Sequence, residues 1–152
     1  MDRSHVENIL SKRLEDYMNE ASSDLHLEES NIKEKSMLRS SLGAKWCRYR
    51  YEEQKYLKLL EKNLEDLKEE VKKKLYEKQK IAMSEADANM QRMINIKAEQ
   101  LVTKSIEYQN IKDKIDQQED ILRLIEETQH LISQFGYDIK NALEVLKLEN
   151  II

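Results

Sequence analysis

The sequence predicts an all-α protein made of long amphipathic helices with coiled-coil-like packing. Its 152 residues include no proline, only two glycines and 37% charged residues, a composition typical of long helices rather than sheets with many turns. Apolar residues recur at alternating spacings of three and four, which places them on one face of a helix. Because one Phe and one Trp cannot fill a large core, we expect apolar faces to meet between chains.

The N-terminal part of the chain predicts two helices. The first runs from about Arg3 to Asn19 and stops in the polar stretch at residues 21–24, Ala-Ser-Ser-Asp. The second runs from about Leu27 to Leu42, after an acidic stretch suited to a helix start. Gly43 follows, and the pattern leaves open whether it kinks the helix or only interrupts its periodicity.

A long helix is predicted after Gly43, reaching about Ile81. Its heptad-like seam consists of Leu57, Leu60, Leu64, Leu67 and Val71, with Leu75 continuing the stripe. The apolar stripe lapses between Ser84 and Asn89, where a Ser or Asp could cap a new helix, so we expect a reversal or loop there.

The C-terminal half predicts a second long helix and a short last one. The seven-residue repeat of the long helix is Ile94, Leu101, Tyr108, Ile115 and Leu122. Gly136 is expected to end it, and a short amphipathic helix then leads to Ile151 and Ile152, which we expect to be buried at a subunit contact. The predicted segments are 1–82, 83–135 and 136–152 of one elongated unit.

Charge is segregated along the chain. The formal net charge is −4, yet residues 43–80 carry 12 Lys and Arg against 8 Asp and Glu, so the remainder carries 14 against 22. The same segment holds the only Trp and four of the seven Tyr. Cations neutralise phosphates and flat rings stack on unpaired bases, so this pattern indicates a nucleic-acid surface; ordinary helix packing with solvated lysines is the alternative.

The residues predict no enzyme, cofactor or metal site. His5, His26 and His130 are far apart and lack partners at metal-ligand spacing, and two glycines 93 residues apart cannot form a phosphate-binding loop. No apolar run is long enough to cross a membrane, and the N-terminus lacks the apolar region of a signal peptide. With a single Cys47, which fits a reducing compartment, we expect a cytoplasmic protein without membrane contact.

Several motifs resemble the UvsY family of recombination mediators from T4-like bacteriophages. The N-terminal part is Arg13-Leu14-Glu15-Asp16, Asp24, Glu28-Glu29-Ser30 and Lys45-Trp46, which matches without a gap from Arg13 to Trp46. Further on, residues 72–76 (KKKLY) are similar to the basic segment of that family, and residues 136–140 (GYDIK) to its C-terminal motif. Between residues 81 and 129 the similarity is little more than helical pattern.

The resemblance implies a non-enzymatic factor for phage homologous recombination, repair and recombination-dependent replication. Such a protein would bind single-stranded DNA and load a RecA-like recombinase onto strands covered by single-stranded-DNA-binding protein. It would assemble through its C-terminal helix into a ring-like homo-oligomer, a hexamer or heptamer, in the cytoplasm of the bacterial host. A ring repeats one modest basic patch, so affinity grows by avidity.

The charge pattern and the family resemblance together give the candidate site residues. The DNA-binding candidates are Lys72, Lys73, Lys74, Lys45, Arg48 and Arg50. The oligomerisation candidates are Ile139, Leu143 and Leu146, with packing inside the subunit as the alternative. Trp46 either stacks on a base or packs in the core, and the triple-lysine segment either contacts phosphates or pairs with neighbouring glutamates.

Two other classes of function share this composition. A helical coiled-coil scaffold or adaptor would show the same seams but no affinity for DNA. A nucleic-acid enzyme would need catalytic groups that the sequence does not offer. Binding of a polyanion separates the mediator from the adaptor.

Overall fold

The computed structural model describes the backbone of residues 3–151 and the side chains of residues 9–28 and 30–150. It is all-helical within those bounds, with α1 at Arg3–Leu25, α2 at Ile32–Gln79, α3 at Ala88–Thr103 and α4 at Ile106–Ile151. Short 3-10 turns lie at Glu29–Asn31 and Met83–Glu85. The predicted all-α class is therefore confirmed. The contact expected of Ile151 and Ile152 lies outside the described side chains.

Helix α1 is six residues longer than predicted. It continues to Leu25 because Ala21 is buried in a core and Leu25 packs against two apolar clusters, so the Ala-Ser-Ser-Asp stretch is held by packing. The Lys35 ammonium then binds the carbonyl oxygens of Ser23 and Asp24 at 2.9 and 3.3 Å. A cation at a helix C-terminus satisfies carbonyls that have no partner within the helix.

Helix α2 passes through Gly43 without interruption, and no residue near it needs a positive φ. The seam from Leu57 to Leu75 is buried or half-buried, as predicted. The helix ends where Lys80 takes the left-handed conformation, with a φ of 55°. The predicted loop follows, and the Asp87 carboxylate accepts a hydrogen bond from the Met90 amide at 2.8 Å to cap α3.

The second long helix is two helices, which corrects the prediction. Ser105 caps α4: its hydroxyl accepts from the Tyr108 amide at 3.1 Å and donates to the Val102 carbonyl at 2.7 Å. This break changes the phase of the seven-residue repeat, and Leu101 is accordingly 47% exposed. The face of α3 that is buried consists instead of Ile94, Ala98 and Val102.

The expected break at Gly136 is wrong, and no separate C-terminal helix begins there. Helix α4 runs through Gly136 to Ile151, and at this residue a side chain of α2 lies close to the backbone of α4. A Cβ at this position would overlap the guanidinium of Arg39 on α2. The atoms that it would meet are the end of a flexible, exposed side chain, so an alanine at this position, where φ is not positive, requires only that the Arg39 side chain shift.

The chain forms two compact units, which differ from the three predicted segments because α2 and α4 each contribute to both. The first unit contains residues up to Lys55 and from Gln118 onward. Its main core is formed by Leu10, Ala21, Trp46, Ile121, Ile125 and Ile132, and a smaller cluster by Ile32, Phe135 and Ile139. The second unit covers Tyr56–Gln117, with Leu75, Tyr76, Ile94 and Ala98 at its core.

Candidate nucleic-acid interface

The Lys45-Trp46 pair is held by Asp24 of α1. One carboxylate oxygen, Asp24 Oδ2, accepts from Lys45 Nζ at 2.6 Å and from Trp46 Nε1 at 2.9 Å. Lys45 also pairs with Glu20 at 2.9 Å. Burial alone would lower the pKa of Lys45, but the hydrogen bonds that its ammonium donates to Asp24 and Glu20 outweigh burial and the pKa is raised. The charge of this predicted DNA contact is neutralised within the chain.

Trp46 is a core residue. Of the two roles that the sequence left open, base stacking and core packing, it has the second. Its side chain is 0% exposed. The indole packs edge-on against Tyr49 with ring centroids 5.3 Å apart, and Tyr17 lies at 5.3 Å from Tyr49 and 6.1 Å from Trp46. Aromatic groups in such tilted arrangements stabilise a core beyond the area they bury. A base cannot stack on this indole in the folded chain.

A buried carboxylate, Glu53, joins α1, α2 and α4 beside this core. Its oxygens accept hydrogen bonds from Tyr17 Oη at 2.9 Å, from Gln118 Nε2 and from the Arg13 guanidinium. Burial would raise the pKa of Glu53, but these donors outweigh burial and lower it. Burial and the Glu53 carboxylate also raise the pKa of Tyr17 well above its usual range. The network therefore joins three helices through one carboxylate.

Outside the core, α2 presents an exposed aromatic ring flanked by cations. Arg48, Tyr51 and Lys55 recur at spacings of three and four, so they share one helix face, and all three are exposed. Tyr51 is 63% exposed, and Lys55 Nζ lies 5.6 Å from the centroid of its ring. Among the described side chains, neither Arg48 nor Lys55 forms an ion pair.

We call Arg48, Tyr51 and Lys55 the Tyr51 face. Sequence reasoning singled out Arg48 but missed Tyr51, although the spacing of the three residues is visible in the sequence. Arg50 lies on a different side of α2, where its guanidinium pairs with Glu126 of α4 at 3.3 Å. Both partners are largely exposed, so this surface pair contributes little to stability.

The triple-lysine segment lies in the second unit, near the end of α2. Lys72 pairs with Glu69 at 3.3 Å and Lys74 with Glu70 at 3.1 Å, both within one turn of the helix. Lys73 points elsewhere and lines a shallow cleft with Lys80 and Tyr76. Helix-surface pairs of this type are worth only about 0.3–0.5 kcal/mol, so a phosphate can displace their carboxylates.

The three predicted oligomerisation residues pack within the chain. Ile139 is 4% exposed and lies in the cluster with Ile32 and Phe135, while Leu143 and Leu146 are half-buried against it. Packing inside the subunit, the open alternative, therefore occupies this face of α4. The exposed apolar residues on the same stretch are Tyr137, Val145 and Leu148.

Within the described part of the chain, no group of three His, Cys, Asp or Glu side chains is arranged to hold a metal ion. None of the described helices combines the length and apolar character that a membrane span requires.

Comparison of the chain with protein-family models, with curated protein sequences and with solved structures finds no match.

Proposed function

We propose that this protein binds single-stranded DNA without sequence preference and acts as a recombination mediator. In this role it loads a RecA-like recombinase onto strands covered by single-stranded-DNA-binding protein, and it has no catalytic activity of its own. The observation that carries the proposal is the Tyr51 face. This face has an exposed ring with the Lys55 ammonium beside it, and Arg48 is exposed about one turn earlier on the same helix. It thus combines base stacking with phosphate neutralisation, the two interactions that proteins use to hold unpaired strands.

The residues that resemble the mediator family also support the proposal through their contacts. Asp24 binds both Lys45 and Trp46, and Arg13 binds Glu53 in the same unit. Three of the residues that carry the resemblance, Asp24, Lys45 and Trp46, are therefore in direct contact. This support concerns the architecture, because Lys45 and Trp46 are used inside the chain and leave the strand to other side chains.

The triple-lysine segment supplies a further set of phosphate contacts in this proposal. Lys73 provides an exposed ammonium, and Lys72 and Lys74 exchange their glutamate partners for phosphates when a strand binds. Such an exchange replaces weak solvent-exposed pairs with contacts that release counterions from the strand, so its contribution decreases as salt rises.

Self-association raises the affinity of these modest patches. We assign the subunit contact to Tyr137, Val145 and Leu148, which are exposed and lie eight and eleven residues apart along α4. Those spacings return to the same side of a helix after two and three turns. A closed ring built on this contact would repeat each cationic patch, and a long strand would then bind by avidity.

A reconstituted loading reaction tests the mediator role. A cognate RecA-like recombinase is added to strands precoated with single-stranded-DNA-binding protein, and filament formation and ATP hydrolysis are followed over time. The protein should shorten the lag and raise the recombinase ATPase, yet hydrolyse no ATP when alone. Loading that is indifferent to the protein would contradict the mediator role and favour a helical adaptor.

A further inference from the structure

A second cationic cleft lies in the first unit, between α2 and the C-terminal part of α4. It has a volume of ≈ 320 Å³. Arg39 contributes from α2, and Lys140 and Lys147 contribute from α4, around a floor formed by Gly136 and Ile139. The triple-lysine segment belongs to the other unit.

The three cations of the cleft are available to a ligand. Among the described side chains, none of Arg39, Lys140 and Lys147 forms an ion pair. One carboxylate, Glu144, lines the same cleft, so the net charge of the lining is positive. Three like charges near an apolar wall are unfavourable without a counter-charge, and an anion relieves that repulsion.

Gly136 brings the Arg39 guanidinium close to α4. Any Cβ at this position would overlap that guanidinium, so glycine allows it to lie directly over the helix. A glycine inside a helix costs roughly 0.5–1 kcal/mol relative to alanine, and no turn or positive φ requires one here. The guanidinium that lies over this glycine has a planar fork that suits a phosphate group.

The spacing of the cations favours a chain of phosphates over a single small anion. Lys140 and Lys147 are two helical turns apart, which corresponds to about 10 Å along α4. Successive phosphates of an extended strand can contact both ammonium groups at this spacing, whereas a single phosphate requires both flexible side chains to turn toward it. Arg39 faces them from the neighbouring helix and would hold a phosphate between its two N–H donors.

We propose that the cleft formed by Arg39, Lys140 and Lys147 over Gly136 binds the phosphodiester backbone of single-stranded DNA. The inference rests on the proposed function, because the strand is the ligand, and it adds a binding site that the triple-lysine segment does not include. Glu144 opposes binding in this arrangement, so replacing its charge should tighten the complex.

The two glycines of the chain allow a direct test. Protein labelled with ¹⁵N-glycine gives one amide signal from Gly136 in the cleft and one from Gly43, which lies one turn after Arg39 on α2. Oligo(dT), inorganic phosphate and poly-glutamate are titrated separately. We expect oligo(dT) to shift the Gly136 signal at lower concentration than the other two.

Matched variants measure the contribution of the cleft by fluorescence anisotropy with oligo(dT) at several salt concentrations. R39Q/K140Q/K147Q should lower the salt slope by about 0.7 for each phosphate that it no longer neutralises, while K12Q, an exposed lysine on α1, should not. E144Q should bind more tightly. G136A keeps every charge but displaces the Arg39 guanidinium. Weaker binding by G136A, with unchanged binding by G43A, would show that the position of this guanidinium matters as well as the net charge of the cleft.

The outcomes separate this inference from the proposed function. If wild-type protein binds oligo(dT) but the Gly136 signal stays still and the triple variant binds normally, the cleft assignment is wrong and the proposed function stands. A Gly136 shift with poly-glutamate that matches or exceeds the oligo(dT) shift would overturn the choice of ligand in favour of an acidic protein segment. If wild-type protein does not bind oligo(dT), both proposals are overturned.

Discussion

The indole nitrogen of Trp46 donates a hydrogen bond to Asp24 Oδ2 at 2.9 Å, and the same oxygen binds the Lys45 ammonium at 2.6 Å. One carboxylate thus joins the end of α1 to the middle of α2 and satisfies the polar edge of a fully buried ring. The contact ties the only Trp of the chain to the core, where its ring cannot stack on a base, and it neutralises the charge of Lys45 within the chain.

Removing the Asp24 carboxylate should destabilise the first unit. Asp24→Ala leaves the buried indole N–H without a partner and the Lys45 ammonium with Glu20 alone, which should cost roughly 1–3 kcal/mol. Asp24→Asn keeps an acceptor for the indole and should cost less. Urea unfolding followed by Trp46 fluorescence measures both, and equal stability of Asp24→Ala and wild type would contradict the assigned role.

The stability of the chain should fall in acid because of Glu53. Its folded-state pKa is lowered, so its contribution to stability is complete above the unfolded-state pKa of about 4.3 and is lost as pH decreases below that value. Glu53→Gln should therefore be less stable at pH 7 and show a weaker dependence on pH below about 4.3.

The control for this pH dependence is Glu15→Gln, which removes an exposed carboxylate of the same charge from α1. Unfolding free energies are measured between pH 3 and pH 7 for the three proteins. A pH profile of Glu53→Gln that parallels that of wild type would show that Glu53 does not govern the acid sensitivity.

The two glycines should respond differently to alanine. Gly43 lies inside α2 with open space around its Cβ position, so Gly43→Ala should raise stability by roughly 0.5–1 kcal/mol through helix propensity. Gly136→Ala must first displace the Arg39 guanidinium, so its gain should be smaller. Thermal unfolding checks the order of the two variants, and a larger gain at Gly136 would contradict the close approach.

Subunit assembly should depend on the exposed apolar side of α4. V145E/L148E adds charge to that side without touching the cluster around Ile139, so the variant should fold normally and sediment as a smaller species. Met37→Glu, which adds a charge at an exposed apolar residue of α2, is the control. If V145E/L148E sediments like wild type, self-association through this side of α4 is excluded.

Much of the fold can be predicted from the sequence because helices are specified by local periodicity. The seam from Leu57 to Leu75 and the loop before α3 depend on residues close in the chain, and both are confirmed. The errors arise where contacts between residues far apart in the sequence determine where a helix ends or continues. Gly136 signals a helix end locally, yet α4 continues through it and packs there against residues of α2 that are almost a hundred positions away in the sequence. The cap formed by Ser105 is hidden in the sequence because the apolar repeat continues across it.

The site is less predictable because spacing on one helix cannot show what the other helices place beside it. Lys45 and Arg50 look as cationic as Arg48 in the sequence, but Asp24 and Glu126 come from other helices to pair with them. Ile139 resembles an interface residue for the same reason. Only the packing of α4 on α2 shows that its partners are within the chain.

Binding of single-stranded DNA can be tested with a few substitutions in the Tyr51 face and the triple-lysine segment. Tyr51→Ala should weaken binding to oligo(dT) by roughly 1–3 kcal/mol for each stacked base, or about five- to 150-fold. R48Q/K55Q and K72Q/K73Q/K74Q should each lower the salt slope by about 0.7 for every phosphate left without its cation. Trp46 fluorescence should not change on binding, because the indole is buried.

The most direct measurement compares wild-type protein with Tyr51→Ala for single-stranded and double-stranded DNA of equal length, by anisotropy over a range of salt concentrations. We expect wild-type protein to bind the single strand more tightly, and we expect Tyr51→Ala to lose that preference, because only unpaired bases can stack on the ring. Equal affinity of wild type for both forms, or a preference that Tyr51→Ala retains in full, would contradict it.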